Sequence, residues 1–251
     1  MDVKSALDKA LFYLSVPKCV CCGARLDYTD NVFCSECLIE FRGNLTRNCS
    51  GCFKPLSECS CTTEFLKSKG VSKVIKLFRY IQREESYAAN SLIYSLKREN
   101  RRDVRRLASA MLSSSLRLLV DNLDNCVFTN VPRRRRAVIL RGFDHAAQLS
   151  RTIARELGCE YKALFSSKAK KAQKELRGIQ RHKNAVFAIK SKADLKGKTL
   201  IIVDDVITTG SSIGAASELG KSLGAKRIIA CAIGIAYKDE YGPKDYSVVR
   251  W

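Results

Sequence analysis

The 251-residue sequence predicts an α/β fold: a mainly parallel sheet with helices on both faces, preceded by a small cysteine-rich module. Three observations predict it. From residue 126 onward, short apolar runs alternate with helical patterns, the order that builds a parallel sheet. One of these runs, Leu200 to Val203, leads straight into Asp204 and Asp205 and then into Thr208-Thr209-Gly210-Ser211-Ser212. Nine of the twelve cysteines lie between Cys19 and Cys61.

The stretch Leu200 to Ser212 organises the rest. Its four apolar residues suit a buried parallel strand, and the helical pattern of Ile213, Ala216, Leu219 and Leu223 follows the turn. A small-residue turn at a helix N-terminus presents backbone N–H groups and a positive dipole end, which suits a phosphate. An acidic pair at the carboxyl edge of such a sheet lies where open α/β folds bind ligands. Carboxylates there accept hydrogen bonds from sugar hydroxyls while the turn holds the sugar's phosphate. The two together describe a ribose 5-phosphate cradle. Gly197-Lys198-Thr199 imitates the end of a phosphate-binding P-loop, but it precedes the strand instead of following it, and Lys192 replaces the first glycine.

Composition narrows the partners. With 45 Lys+Arg against 25 Asp+Glu, the net charge of +20 favours polyanions such as nucleic acid, anionic lipid or pyrophosphate. The cations cluster. Lys97 to Arg106 holds six basic and two acidic residues, Arg133 to Arg141 holds five Arg and no acid, and Lys168 to Lys183 holds seven basic residues and one Glu. Arg101, Arg102, Arg105 and Arg106 are the candidate DNA contacts within the first cluster. No apolar run reaches the roughly 18–20 residues of a membrane span, so a cytoplasmic chain that is not an integral membrane protein is expected.

In order, residues 1–16 read as an N-terminal amphipathic helix. Residues 17–63 read as a double zinc-ribbon module. Its Cys19-x-x-Cys22 and Cys34-x-x-Cys37 pairs have the spacing of four thiolate ligands to one tetrahedral Zn²⁺. Cys49-x-x-Cys52 and Cys59-x-Cys61 form a second set, one residue short in its last pair, so one or two zinc ions are expected. Cys21 is surplus, and beside Cys22 it leaves the choice of ligand open. Disulfides are the alternative, but a reducing cytosol favours metal. Residues 71–251 read as the second domain. In it, 71–80 is a strand, 86–120 two helices joined at the basic cluster, and Cys126 to Val131 the first strand of the central sheet. A helix over 143–157, a strand over 161–165, a mobile basic loop over 166–183 and a short strand over 185–189 follow. The strand 199–203 carries the acidic pair at its end, 227–236 is a further strand, and 246–251 an edge strand. With two His in the chain, no histidine-based acid–base mechanism is expected. His145 reads as a helix-face residue and His182 falls in the loop.

The stretch Leu200 to Ser212 resembles the phosphoribosyl pyrophosphate (PRPP) motif of type I phosphoribosyltransferases. A cysteine-rich module ahead of it, Val131-Pro132, Arg141-Gly142-Phe143, and the loop Gln173…Leu176…Arg181…Asn184…Phe187 resemble one branch, the ComF proteins of bacterial competence. Asp144-His145 stand where that family commonly has Asn-Gln. The resemblance implies a PRPP site in which Thr208, Thr209, Gly210, Ser211 and Ser212 hold the 5-phosphate. Asp204 and Asp205 are then the catalytic carboxylates on the ribose hydroxyls. Arg133 and Arg134 meet the pyrophosphate together with Mg²⁺, and Arg177 and Arg181 contact the leaving group from a closing loop. It also implies handling of incoming single-stranded DNA in transformation, near the DNA-uptake channel and helicase. The alternative is a nucleotide-salvage enzyme joining a free base to PRPP, which needs no basic surface of this size.

Overall fold

The computed structural model describes residues 17–27, 32–81, 88–168, 187–191 and 193–236. The expected N-terminal helix, the basic loop with Arg177 and Arg181, and the tail over 246–251 lie outside the described residues.

Five parallel strands form the central sheet: β1 (Val71–Tyr80), β2 (Cys126–Asn130), β3 (Glu160–Tyr161), β6 (Thr199–Ile207) and β7 (Arg227–Ala236), in the order β1-β7-β6-β2-β3. Two further strands, β4 (Phe165–Ser167) and β5 (Phe187–Ile189), pair antiparallel in a small sheet of their own. The strand expected over 161–165 is therefore two pieces. The chain leaves the central sheet after Tyr161 and resumes extended backbone at Phe165, where β5 supplies its partner. The strand beginning at Val71 also joins the central sheet, so Cys126 does not open it: β1 closes one edge, beside β7.

Period-2 alternation sorts the strands' side chains between two cores. Ile201, Val203, Ile229 and Cys231 face one side, where they join Leu92 and Ile93 of α3 (Ala88–Arg98), Leu112 and Leu116 of α4 (Arg102–Leu119), and Leu149 and Ile153 of α6 (His145–Glu156). Leu200, Ile202, Ile228 and Ala230 face the other, against Ile213 and Ala216 of α7 (Ser211–Ser222) and Leu66 of α2 (Glu64–Ser68). Each such fully buried aliphatic side chain contributes about 1.5–3 kcal/mol. The first cysteine module shares the former core: Leu26, Val32, Phe33 and Phe41 belong to it, and the Phe41 ring meets Phe78 of β1 edge-on at 5.8 Å. Phe41 lies on α1 (Ser35–Leu45), the helix that follows Cys34.

The arginine run after β2 is a short helix, α5 (Arg135–Arg141), with no buried side chain. The following α6 starts where Asp144 accepts the Ala147 N–H at 3.1 Å, an N-cap that sets the position of His145. Ser109 and Ser113 of α4 both donate to the Glu156 carboxylate at 2.7 Å and bind α6 to its neighbour.

Candidate functional site

The site lies between β2 and β6. Here the chain order reverses direction across the sheet: β2 leads outward to β3 and β6 leads the other way to β7, the arrangement that opens a crevice at the carboxyl ends of strands. β2 stops pairing with β6 at the Asn130–Val203 step, whereas β7 continues alongside β6 to the Ile207–Ile235 step. The acidic pair expected just after the strand is therefore inside it. β7 holds the backbone of Asp204 to Ile207 extended on one side, and the departure of β2 leaves the other side open.

The loop that follows leads into a helix N-terminus that no side chain caps. Gly210 caps α7 in the left-handed region (φ 75°) and brings no side-chain acceptor to the helix N-terminus. The positive φ favours glycine there, and a Cβ at Gly210 would press on the Leu66 side chain at 3.0 Å. Thr209 and Ser211 hydroxyls lie 2.8 Å apart, and the Ser211 N–H reaches Thr209 Oγ1 at 3.4 Å. Thr208 is exposed and Ser212 half-buried on the first turn.

The two carboxylates differ. Asp205 is buried, and three cationic or donor groups converge on it. Lys97 Nζ stands 3.2 Å from Oδ1, Arg133 Nη2 3.5 Å from Oδ2, and His145 Nε2 contacts Oδ2. Burial by itself would raise the Asp205 pKa. Lys97 first, then His145 and Arg133, outweigh it and hold the group well below the usual carboxylate range. Asp204 accepts the Asp205 backbone N–H at 2.9 Å. Burial, and next to it the charge of Asp205, push its pKa up to about 8. The two carboxylates are thus pushed in opposite directions, Asp205 toward its charged form and Asp204 toward its neutral one.

Sequence reasoning missed two of these groups. Lys97, in the last turn of α3, lies 108 positions before Asp205 and looked like one cation among six. His145 is a helix residue as expected, the first of α6, but on the buried face, 3% exposed. Its replacement of a family glutamine was the available signal. Arg133 also stands 2.7 Å from His145 Nε2. A guanidinium cannot accept, so with Asp205 ionised the Nε2 proton belongs to the carboxylate bond and Arg133 donates to Asp205 instead. Arg134, the second predicted pyrophosphate ligand, has a buried Nη2 with no hydrogen-bond partner among the described residues.

Of the four predicted DNA contacts, two are used internally. Arg101 pairs with both oxygens of Asp103 (3.2 and 2.6 Å) and donates to the Lys18 carbonyl at 2.8 Å. Arg105 donates to Gln148 Oε1 at 2.6 Å, on α6. Arg102 and Arg106 are exposed.

The eight predicted metal ligands assemble as two sets. Sulfurs of Cys19, Cys22, Cys34 and Cys37 lie within 4.8 Å of one another, as do those of Cys49, Cys52, Cys59 and Cys61. Cys21 is in neither set, and Cys22 is the residue that completes the first. Cys22 and Cys34 sulfurs are 3.7 Å apart, close to the edge of a tetrahedron of about 2.3 Å Zn–S bonds. Both sets fit one zinc each. Beside the second, fully buried Lys76 of β1 donates to Cys59 Sγ and to the Cys61 carbonyl, both at 3.0 Å. Burial raises the Cys59 thiol, but Lys76 outweighs it and brings the pKa down to about 7, toward the thiolate a metal requires.

Residues 143–251 match the family model of the phosphoribosyl transferase domain. Over these residues the chain is similar to phosphoribosyl transferase domains. The matched region takes in His145, both carboxylates and the Thr208 to Ser212 loop, while Lys97 and Arg133 come from outside. The chain is similar to the DNA utilization protein YhgH of Escherichia coli, 30% identical over 92 residues that span 36% of this chain and 40% of that protein. It is also similar to the ribose-phosphate pyrophosphokinase of Thermococcus kodakarensis, 32% identical over 87 residues, 35% of this chain and 27% of the enzyme. The chain thus matches less than half the length of these relatives. Among solved structures, the purine phosphoribosyltransferase from Pyrococcus horikoshii aligns with a TM-score of 0.37 and 24% identity, over 59% of this chain and 83% of that one. With two cysteine sets ahead of the phosphoribosyltransferase domain and a DNA utilization protein among its relatives, the chain keeps its resemblance to the ComF family.

Proposed function

We propose that the phosphoribosyltransferase domain binds PRPP with Mg²⁺ and that the protein handles single-stranded DNA entering the cell during transformation. The observation that carries the PRPP reading is the placement of Asp204 and Asp205 on the open side of β6, one loop before an α-helix N-terminus capped by Gly210. Thr208 to Ser212 receive the 5-phosphate, and the carboxylates receive the ribose hydroxyls. Arg133 and the unpartnered Nη2 of Arg134 take the pyrophosphate oxygens, with Mg²⁺ neutralising the rest. Arg177 and Arg181 are the further cations assigned to the leaving group. The DNA reading rests on the +20 charge, with Arg102 and Arg106 exposed, and on similarity to a DNA utilization protein.

PRPP with Mg²⁺ raises the thermal midpoint of the zinc-loaded protein by mass action, and Asp204→Ala with Asp205→Ala abolishes the shift. An unchanged shift in the double variant would show the cradle to be misplaced. Turnover of PRPP with a free base at ordinary enzyme rates, roughly 1–10³ per second, would replace the DNA reading with nucleotide salvage.

A further inference from the structure

The two cysteine sets begin with the same structural unit, repeated thirty positions apart, and they differ at one telling place. In the first unit the Cys19 N–H donates to the Ala24 carbonyl (2.7 Å), Gly23 N–H to the Cys19 carbonyl (3.1 Å) and Leu26 N–H to the Pro17 carbonyl (3.0 Å). In the second, Cys49 donates to Lys54 (2.9 Å), Phe53 to Cys49 (2.8 Å) and Leu56 to Arg47 (3.0 Å). The inward residues match too: Cys19 and Leu26 are buried, and so are Cys49 and Leu56. The residue after the second cysteine must turn left-handed in both. Gly23 does so at φ 74°, Phe53 at φ 57°.

Glycine adopts that conformation without strain, and a bulky aromatic residue there is an outlier. The fold gives Phe53 no compensation, because its side chain is 76% exposed. Nor does shape exclude smaller residues: a Cβ at Gly23, the matching position, meets nothing within 4 Å. A strained residue whose side chain contributes nothing to the core points to a ligand. Among the described residues Phe53 is also the sole aromatic among the exposed large hydrophobic side chains. Phe41 is buried and stacked on Phe33 at 4.7 Å, and the Tyr80 hydroxyl is bound to that of Tyr94 at 3.0 Å. Phe41 therefore has no open ring face, and Tyr80 is half-buried with Lys97 Nζ 5.9 Å over its ring.

We infer that Phe53 is a stacking platform for a base of single-stranded DNA, presented at the tip of the second zinc knuckle. This rests on the DNA reading given above. The occupant follows from charge: residues 47–55 carry Arg47 and Lys54 and no acid, with Glu58 the nearest carboxylate in sequence. An exposed ring in a segment that carries cations and no acid suits a polyanion whose bases each offer a π-face, and such stacking is indifferent to sequence.

The test uses the zinc-loaded full chain and a labelled oligo-dT at low salt, read by fluorescence anisotropy. Phe53→Gly should keep its zinc and a thermal midpoint no lower than the parent's, because the strain is relieved. Its affinity for oligo-dT should fall about 5- to 100-fold, the range of one lost base stack. The slope of affinity against salt should stay the same, because no cation is removed. Phe53→Asn, which also tolerates the left-handed region, repeats the measurement should the glycine variant lose zinc. Phe53→Trp should retain the affinity and show quenched indole emission on binding. Parent-like affinity in the glycine and asparagine variants would overturn the inference alone and assign the ring to a protein partner. A parent that fails to bind oligo-dT at low salt would overturn the DNA reading and the inference with it.

Discussion

His145 and Asp205, sixty positions apart in sequence, meet through Nε2 and Oδ2, both side chains buried at the carboxyl end of the sheet. The ring's other nitrogen, Nδ1, is buried without a hydrogen-bond partner among the described residues. The imidazole is therefore committed to the carboxylate by one atom alone.

That commitment predicts how substitutions sort. His145→Leu removes one of the donors to a buried carboxylate, a loss of about 1–3 kcal/mol, and weakens the PRPP-induced thermal shift. At roughly 2–4 °C per kcal/mol for a chain of this size, the midpoint falls by several degrees. His145→Gln restores a donor and recovers most of both. Equal effects of leucine and glutamine, measured by thermal unfolding with and without PRPP, would show that the bond to Asp205 carries no weight.

Asp204 predicts a pH dependence. Folding raises its pKa from the ordinary carboxylate range to about 8, by burial and by the charge of Asp205. Between those values the folded state holds a proton that the unfolded state has released, so this group's contribution to stability falls as pH rises through the window. Asp204→Asn removes that slope. Its midpoint should match the parent's near pH 4 and exceed it increasingly toward pH 8. PRPP response should be lost at every pH. A constant offset between the two proteins from pH 4 to 8 would contradict the assignment.

Two zinc ions per chain are expected from the two sulfur sets. Lys76→Met should lower zinc affinity 10- to 100-fold at the second set, since it deletes the buried ammonium 3.0 Å from Cys59 Sγ and leaves the thiolate charge uncompensated. Elemental analysis after mild chelation should then give one zinc in the variant and two in the parent. Two in both would mean that Lys76 serves β1 alone.

The basic cluster at the start of α4 should divide in two. Arg102→Ala with Arg106→Ala should weaken oligo-dT binding and flatten its salt dependence, with little change in midpoint. Arg101→Ala and Arg105→Ala should instead lower the midpoint, because these side chains bind Asp103 with the Lys18 carbonyl, and Gln148. Charged hydrogen bonds of this kind contribute about 1.5–3 kcal/mol. Equal behaviour of the two pairs in binding and unfolding would remove the distinction.

Chain order, the strand at 71–80, the apolar strands of β6 and β7, and both cysteine sets were legible in the sequence. Each rests on spacing: period-2 apolar runs, helical periodicity, and Cys-x-x-Cys turns are local patterns, and local backbone geometry follows from them. The turn between β6 and α7 was legible for the same reason, since Thr208 to Ser212 are contiguous. What tertiary structure decided is which distant groups converge. Lys97 arrives from α3, Arg133 from the end of β2 and His145 from the start of α6, and no local pattern in the sequence pairs any of them with Asp205. Nor could sequence separate Phe41 from Phe53, two aromatic residues in one cysteine-rich segment. The first fills the core against Phe33 and Phe78, and the second stands at the tip of a knuckle. Burial and charge pairing are properties of the packed chain, set by which faces meet across the sheet, and a linear pattern carries no record of that meeting.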